Sequence, residues 1–127
     1  MRLFTLAVAI AAAASPVAAQ ELKRTIMQRV DVPTGATHET VIGTVEVPPG
    51  GATGRHSHFG VEMIIMMEGE MDVLIDGEAP KHLKAGDSLV IPAGRIHDAK
   101  TARSGTAKAA VTWVIEKGKP MATPAAK

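Results

Sequence analysis

Cysteine is missing from all 127 residues, and so is tyrosine. The first absence excludes a disulfide framework, a thiolate metal site, a cysteine nucleophile and a lipid-anchored cysteine behind a leader. Any metal held by this chain must therefore be bound through nitrogen and oxygen. Aromatic residues are nearly as scarce, with Phe4, Phe59 and Trp113 the full set, so a core has to be built from Val, Ile, Leu, Met and Ala. There is no strong charge of one sign either: the formal net charge is +1. Without a basic block to meet phosphate backbones, the sequence argues against a nucleic-acid partner.

Long hydrophobic runs are limited to one, from Leu3 to Ala14, behind Met1-Arg2. A membrane span wants ~20 such residues, and this run is shorter. It leads into Ser15-Pro16 and Val17-Ala18-Ala19, the layout of a secretory signal peptide cut after Ala19. The expected organisation is a signal peptide over 1–19, one domain over 20–117 and a flexible tail over 118–127. The product is then periplasmic or secreted, with no membrane contact after leader removal. A single arginine ahead of the run points to the general export route rather than the twin-arginine route. About 108 mature residues make one domain. A domain this small leaves much apolar surface exposed, which predicts a homodimer.

Short segments rich in β-branched residues follow one another at regular spacing. They are Leu22 to Val30, Thr40 to Val47, Met63 to Met67, Met71 to Ile75, Pro80 to Lys84, Ser88 to Ile91, Ile96 to Lys100 and Ala109 to Glu116. Turn residues separate them, among them Pro33-Thr34-Gly35, Pro48-Pro49-Gly50-Gly51, Gly69, Asp76-Gly77 and Ala85-Gly86-Asp87. No amphipathic helix is evident in the mature chain. The pattern is all-β, a sandwich or barrel. The tail from Gly118, with Pro120 and Pro124, shows no pattern and is expected to be frayed or draped over the surface.

Within this frame stand two chemical strings. Gly50-x5-His56-x-His58-x3-Glu62-x6-Gly69 sets two imidazoles two apart on extended chain, where they share one side of a sheet. Gly86-x5-Pro92-x-Gly94-x2-His97 makes a tight turn and delivers a third imidazole. Three imidazoles and a carboxylate from distant stretches can close on one ion. Both strings resemble the two signature motifs of the cupin family, over residues 50 to 101, with the short spacer of small cupins from Glu70 to Ala85. The second string carries Thr101 where that family usually has Asn, a position that is not a ligand. The resemblance implies a double-stranded β-helix, or jelly-roll barrel, and metal ligation by His56, His58, Glu62 and His97.

Such a ligand set suits one divalent transition metal, Fe, Mn, Ni, Cu or Zn. Four protein ligands leave two places free on a six-coordinate ion, and related cupin dioxygenases and oxidases use them for substrate and dioxygen. The expected function is thus a metal-dependent oxidoreductase, dioxygenase-like, acting on a small molecule. The alternatives are a non-catalytic periplasmic module that binds or senses a metal or small ligand, and a sugar isomerase or epimerase, which would want a more polar pocket. Period-two counting places Ile64 and Met66 on the inward face with Glu62, and Met63, Ile65 and Met67 on the other. That gives an apolar pocket floor suited to a small hydrophobic or aromatic substrate. The cluster of Met63, Met66, Met67 and Met71 reads as core, with copper binding as the alternative. Phe59 is either a lid over the site or a hydrophobic peg at a dimer contact, the peg being preferred. Glu62 and Arg95 are the candidate catalytic groups, Arg95 because it shares the parity of His97; Arg55 and Asp98 are read as rim residues. His38 and His82 match no motif position and are read as surface residues.

Overall fold

A computed structural model describes residues 21–31 and 37–126; the expected signal peptide lies outside the described residues. All secondary structure among the described residues is strand. In order these are β1 (Lys23–Asp31), β2 (His38–Val47), β3 (His56–Ser57), β4 (Gly60–Ile75), β5 (Lys81–Lys84), β6 (Ser88–Ile91), β7 (His97–Lys100), β8 (Ala107–Glu116) and β9 (Thr123–Pro124). Every pairing is antiparallel, and the strands form one sheet curled on itself.

Strand β4 makes the curl possible. Its first part pairs with β8 and β6, and its last part pairs with β5 and β7. It therefore belongs to two layers, β1-β2-β8-β4-β6 and β5-β4-β7-β3-β9. The sequence suggested two strands separated by Gly69, whereas the chain runs on as one. The change of layer coincides with a register shift against β8 between Met66 and Glu68. Gly69 follows with φ +72, and a Cβ there would lie 1.8 Å from the Thr106 carbonyl oxygen. Only glycine accepts both that dihedral and that approach.

The bulge also reverses parity. Glu62, Ile64 and Met66 are buried before it, and Met71, Val73 and Ile75 are buried after it. Between the layers these residues join Val41, Val47, Val111, Trp113, Ile115 and Ile91 in one core. Full burial of side chains of this size contributes roughly 1.5–3 kcal/mol each. Met66 and Met71 lie inside that core while Met63 and Met67 are exposed on the opposite face, so the methionines do not gather into a soft-ligand cluster. The tail is not without structure: β9 pairs with β3 through Ser57↔Thr123 and His56↔Pro124.

Candidate metal centre

The two layers converge on four buried side chains. His56 sits on β3, His58 just beyond it, Glu62 on the first part of β4 and His97 at the start of β7. His56 and His97 are direct cross-strand partners, which places their rings together at 4.3 Å between centroids. One ligand atom from each of the four residues falls within 4.8 Å of all the others. That is close to the span of one ion's coordination shell at metal–ligand distances of ~2.0–2.2 Å.

Which ring nitrogen faces inward is fixed by the backbone. His56 Nδ1 donates to the Gly54 carbonyl at 2.7 Å, His97 Nδ1 to the Arg95 carbonyl at 2.9 Å, and His58 Nδ1 to the Met121 carbonyl. A neutral imidazole that donates from Nδ1 keeps its lone pair on Nε2. The Nε2 atoms of His58 and His97 lie 2.9 and 3.0 Å from Glu62 Oε2. Although these separations are short, none of the three atoms has a hydrogen bond of acceptable geometry. Acceptors therefore converge in a buried place with no donor among them, an arrangement that a cation resolves. The donor set fits a divalent transition ion.

The same crowding shapes the acid–base behaviour of the metal-free cluster. Burial drives the Glu62 carboxyl upward, but the imidazoles of His58 and His97 outweigh it and bring Glu62 down to about 2. For His97, burial lowers the imidazole, and the facing carboxylate with the Arg95 carbonyl more than compensates, for a net rise. His56, farther from the carboxylate's influence, is lowered by burial. A proton and a metal thus compete for the space beside Glu62.

The surroundings hold corrections to the sequence reading. Arg95 does not reach the site. Its guanidinium bonds the Asp76 carbonyl at 2.6 Å and Glu78 at 3.2 Å on the outside, because the strand begins only at His97 and parity does not extend back to a turn residue. Its carbonyl, rather than its charge, serves the centre. Arg55 is likewise engaged outside, in a two-pronged pair with Asp76 at 2.7 Å. Asp98 is buried and accepts from Thr53 Oγ1 at 3.2 Å. Thr101, the departure from the family motif, still locks the strand after His97: its hydroxyl donates to the Pro48 carbonyl and accepts from Gly51 N at 3.2 Å. His38 and His82 lie away from the cluster, His82 beside Asp72 and Glu70.

A narrow cavity of about 20 Å3 adjoins the ligands. His56, Glu62 and His97 line it together with Ile64. Met66 is fully buried in the core and does not line it, and Phe59 is 40% exposed with the Lys119 ammonium 5.0 Å from its ring centre. Phe59 is therefore no lid. Two contributions were missed. The Met121 carbonyl has no side-chain signature that a sequence could display. Arg24 lines the cavity from β1; between Lys23 and Thr25, both polar, it carries no sequence signal of its inward direction.

An all-β curled sheet closing three imidazoles and a carboxylate at one interior point defines a jelly roll with a cluster that could hold a metal ion. A Cupin domain family model matches residues 43–115, and the chain belongs to the cupin family. No curated protein gives a significant match. Among solved structures, the polyketide cyclase RemF from Streptomyces resistomycificus is similar at 25% identity and TM-score 0.66, over 85% of this chain and 73% of that one. A Klebsiella pneumoniae protein with a double-stranded β-helix domain matches at 21% identity and TM-score 0.66, over 84% and 86%. An oxalate oxidase in complex with the substrate analogue glycolate matches at 27% identity and TM-score 0.54, over 58% of this chain and 41% of that one.

Proposed function

We propose that this chain is a metal-dependent oxidoreductase acting on a small molecule, with one divalent transition metal held by His56, His58, Glu62 and His97. The observation that carries this reading is the set of buried acceptor atoms around Glu62 that have no donor. A bound Fe, Mn or Cu ion would supply one-electron redox chemistry and Lewis acidity. The likeness to an oxalate oxidase supports an oxidative reaction, and the likeness to a polyketide cyclase keeps non-redox chemistry in view. Elemental analysis of protein purified without chelators tests it: about one mole of iron, manganese or copper per chain, followed by oxygen uptake with small organic acids, is expected. Zinc alone would redirect the search to non-redox chemistry. A non-catalytic binding module is the second reading, favoured by the lack of any proton-transferring side chain on the cavity other than the ligands themselves. It prevails if every ligand response persists in His97→Ala after metal is lost.

We also propose that the chain is exported and works as a homodimer. Export rests on the leader-like residues 1–19, and N-terminal mass analysis should find Gln20 first. The dimer is supported by the outer face of the larger layer, where Ile42, Thr112, Met63 and Val90 are register partners in one uncharged row across four strands. Ile65 beside them is 57% exposed. A second copy is the fitting occupant, because a chain of formal charge +1 scarcely repels itself and a two-fold axis brings the same patch of both copies together. Sedimentation should give a dimer for the parent and a monomer for Ile65→Lys.

A further inference from the structure

Of the residues around the metal centre, Arg24 has a charge that the ligand set does not explain. Its register partner on β2 is Val45, a core residue, and cross-strand partners point to the same side. The guanidinium therefore runs inward, 5.9 Å from the Trp113 ring centre, and lines the cavity with His56, Glu62 and His97. Trp113 is itself the register partner of Glu62 and lies 6.1 Å from the His58 ring. Arg24 Nε and Trp113 Nε1 are both buried without a hydrogen-bond partner among the described residues. Donors left in this condition cost stability until an acceptor meets them.

The charge balance points to the same acceptor. Without metal, Arg24 offsets Glu62. With a divalent ion ligated by three neutral imidazoles and one carboxylate, one positive charge is already in surplus, and Arg24 adds another. Buried charge of one sign is costly unless paired. We propose that Arg24 and the metal centre together bind the carboxylate of a small organic acid, the ion taking one carboxylate oxygen and the guanidinium the other. This deepens, and rests on, the metal-centre reading above. The cavity is narrow, about 20 Å3, which excludes a bulky acid. Ile64, Val73 and Ala99 on the remaining wall offer its carbon skeleton no polar partner.

The test uses the full mature chain loaded with one nickel(II), an ion that air does not itself oxidise, titrated calorimetrically with glycolate and with glycolamide, its neutral counterpart of the same shape. Glycolate should bind at least about tenfold more tightly than glycolamide to the parent protein, since a charge-assisted pair is at stake. In Arg24→Gln that preference should shrink toward the share that the ion alone provides, with nickel content still near one per chain. The comparison on the parent protein needs no variant to fold. Stoichiometric nickel with no preference for glycolate, or an Arg24→Gln protein that binds glycolate as the parent does, overturns the role of Arg24 and leaves the metal centre standing. A parent protein that takes up no manganese, iron, nickel, copper or zinc overturns the metal centre, and the carboxylate site with it.

Discussion

Glu62, in the first part of β4, meets His58 and His97 inside the barrel, whereas Glu70 and Asp72, farther along the same strand, meet His82 on the outside. All three carboxylates occupy even positions, and an uninterrupted strand would send them to one side. The bulge ahead of Gly69 sends them to opposite sides. The chemistry divides with them. Inside, each imidazole spends Nδ1 on a backbone carbonyl, so the nitrogen left to face Glu62 is an acceptor and a cation is wanted between them. Outside, His82 turns Nδ1 to Asp72 at 2.8 Å and Nε2 to Glu70 at 3.3 Å. A protonated ring satisfies both carboxylates there, and water screens the rest. The same residue types thus make either a cluster that could hold a metal ion or a solvated ion pair, according to burial and to which nitrogen the backbone has claimed.

The largest effect should come from breaking the interior cluster. Glu62→Gln or His97→Ala is expected to lower metal content from about one per chain to near zero after chelator-free purification, a loss of affinity of at least ~100-fold. Either variant retaining full occupancy would show that the convergence of acceptors is not what holds the ion. Next in size is the device that separates the clusters. Gly69→Ala must drive a methyl into the Thr106 carbonyl at 1.8 Å in a positive-φ conformation. A loss of roughly 2–4 kcal/mol is expected, or a fall in Tm of more than about 10 °C for a domain of this size. An unchanged melting curve would mean that β4 can change layers without the bulge.

Much of this centre was legible in advance because it is written in residue types at fixed spacing. His56, His58, Glu62 and His97 were found from their spacing and motifs, and the inward parity of Glu62, Ile64 and Met66 from period two alone. The reading failed where geometry is decided by pairing or by the main chain. Arg95 was given the parity of His97 although its residue precedes the strand. Met66 has the right parity for the pocket floor but sits too far along β4 to line the cavity. Phe59 sits in the turn between two ligands and yet is exposed away from them. Arg24 went unnoticed because only its pairing with Val45 shows that it points inward. The carbonyls of Gly54, Arg95 and Met121 orient the three rings, and any residue could supply them.

The tail sharpens the comparison further, since only the interior cluster leans on it. β9 pairs with β3, Ala125 N bonds the Arg55 carbonyl at 2.9 Å, and the Met121 carbonyl accepts from His58 Nδ1. A chain ended at Gly118 keeps the eight preceding strands and loses the partner that orients His58. Loss of such a supporting contact typically costs 10–100-fold in metal affinity, and that is the expected result by competitive chelation, with little change in circular dichroism. Affinity equal to that of the full chain would reduce the tail to packing.

The smallest effect, and the strictest test of separation, concerns pH. In the metal-free protein the raised His97 contributes stability that is fully present below the ordinary value of ~6.5 and is lost as pH rises through its folded value. Metal needs that ring neutral, so metal-induced stabilisation should grow as pH rises across the same window. Glu62, lowered to about 2, stays charged throughout that window; its own contribution, present above ~4.5, is lost only as pH falls toward about 2. His82 is raised as well, chiefly by its hydrogen bond to Asp72, and is a second titrating imidazole on the outer face. If the two clusters are independent, His82→Gln removes the outer titration from a spectrum of the five histidines and leaves the pH curve of metal affinity superimposable on the parent's. A displaced curve would mean that charge on the outer face of β4 is felt at Glu62, and that the bulge separates the two clusters in space without insulating them.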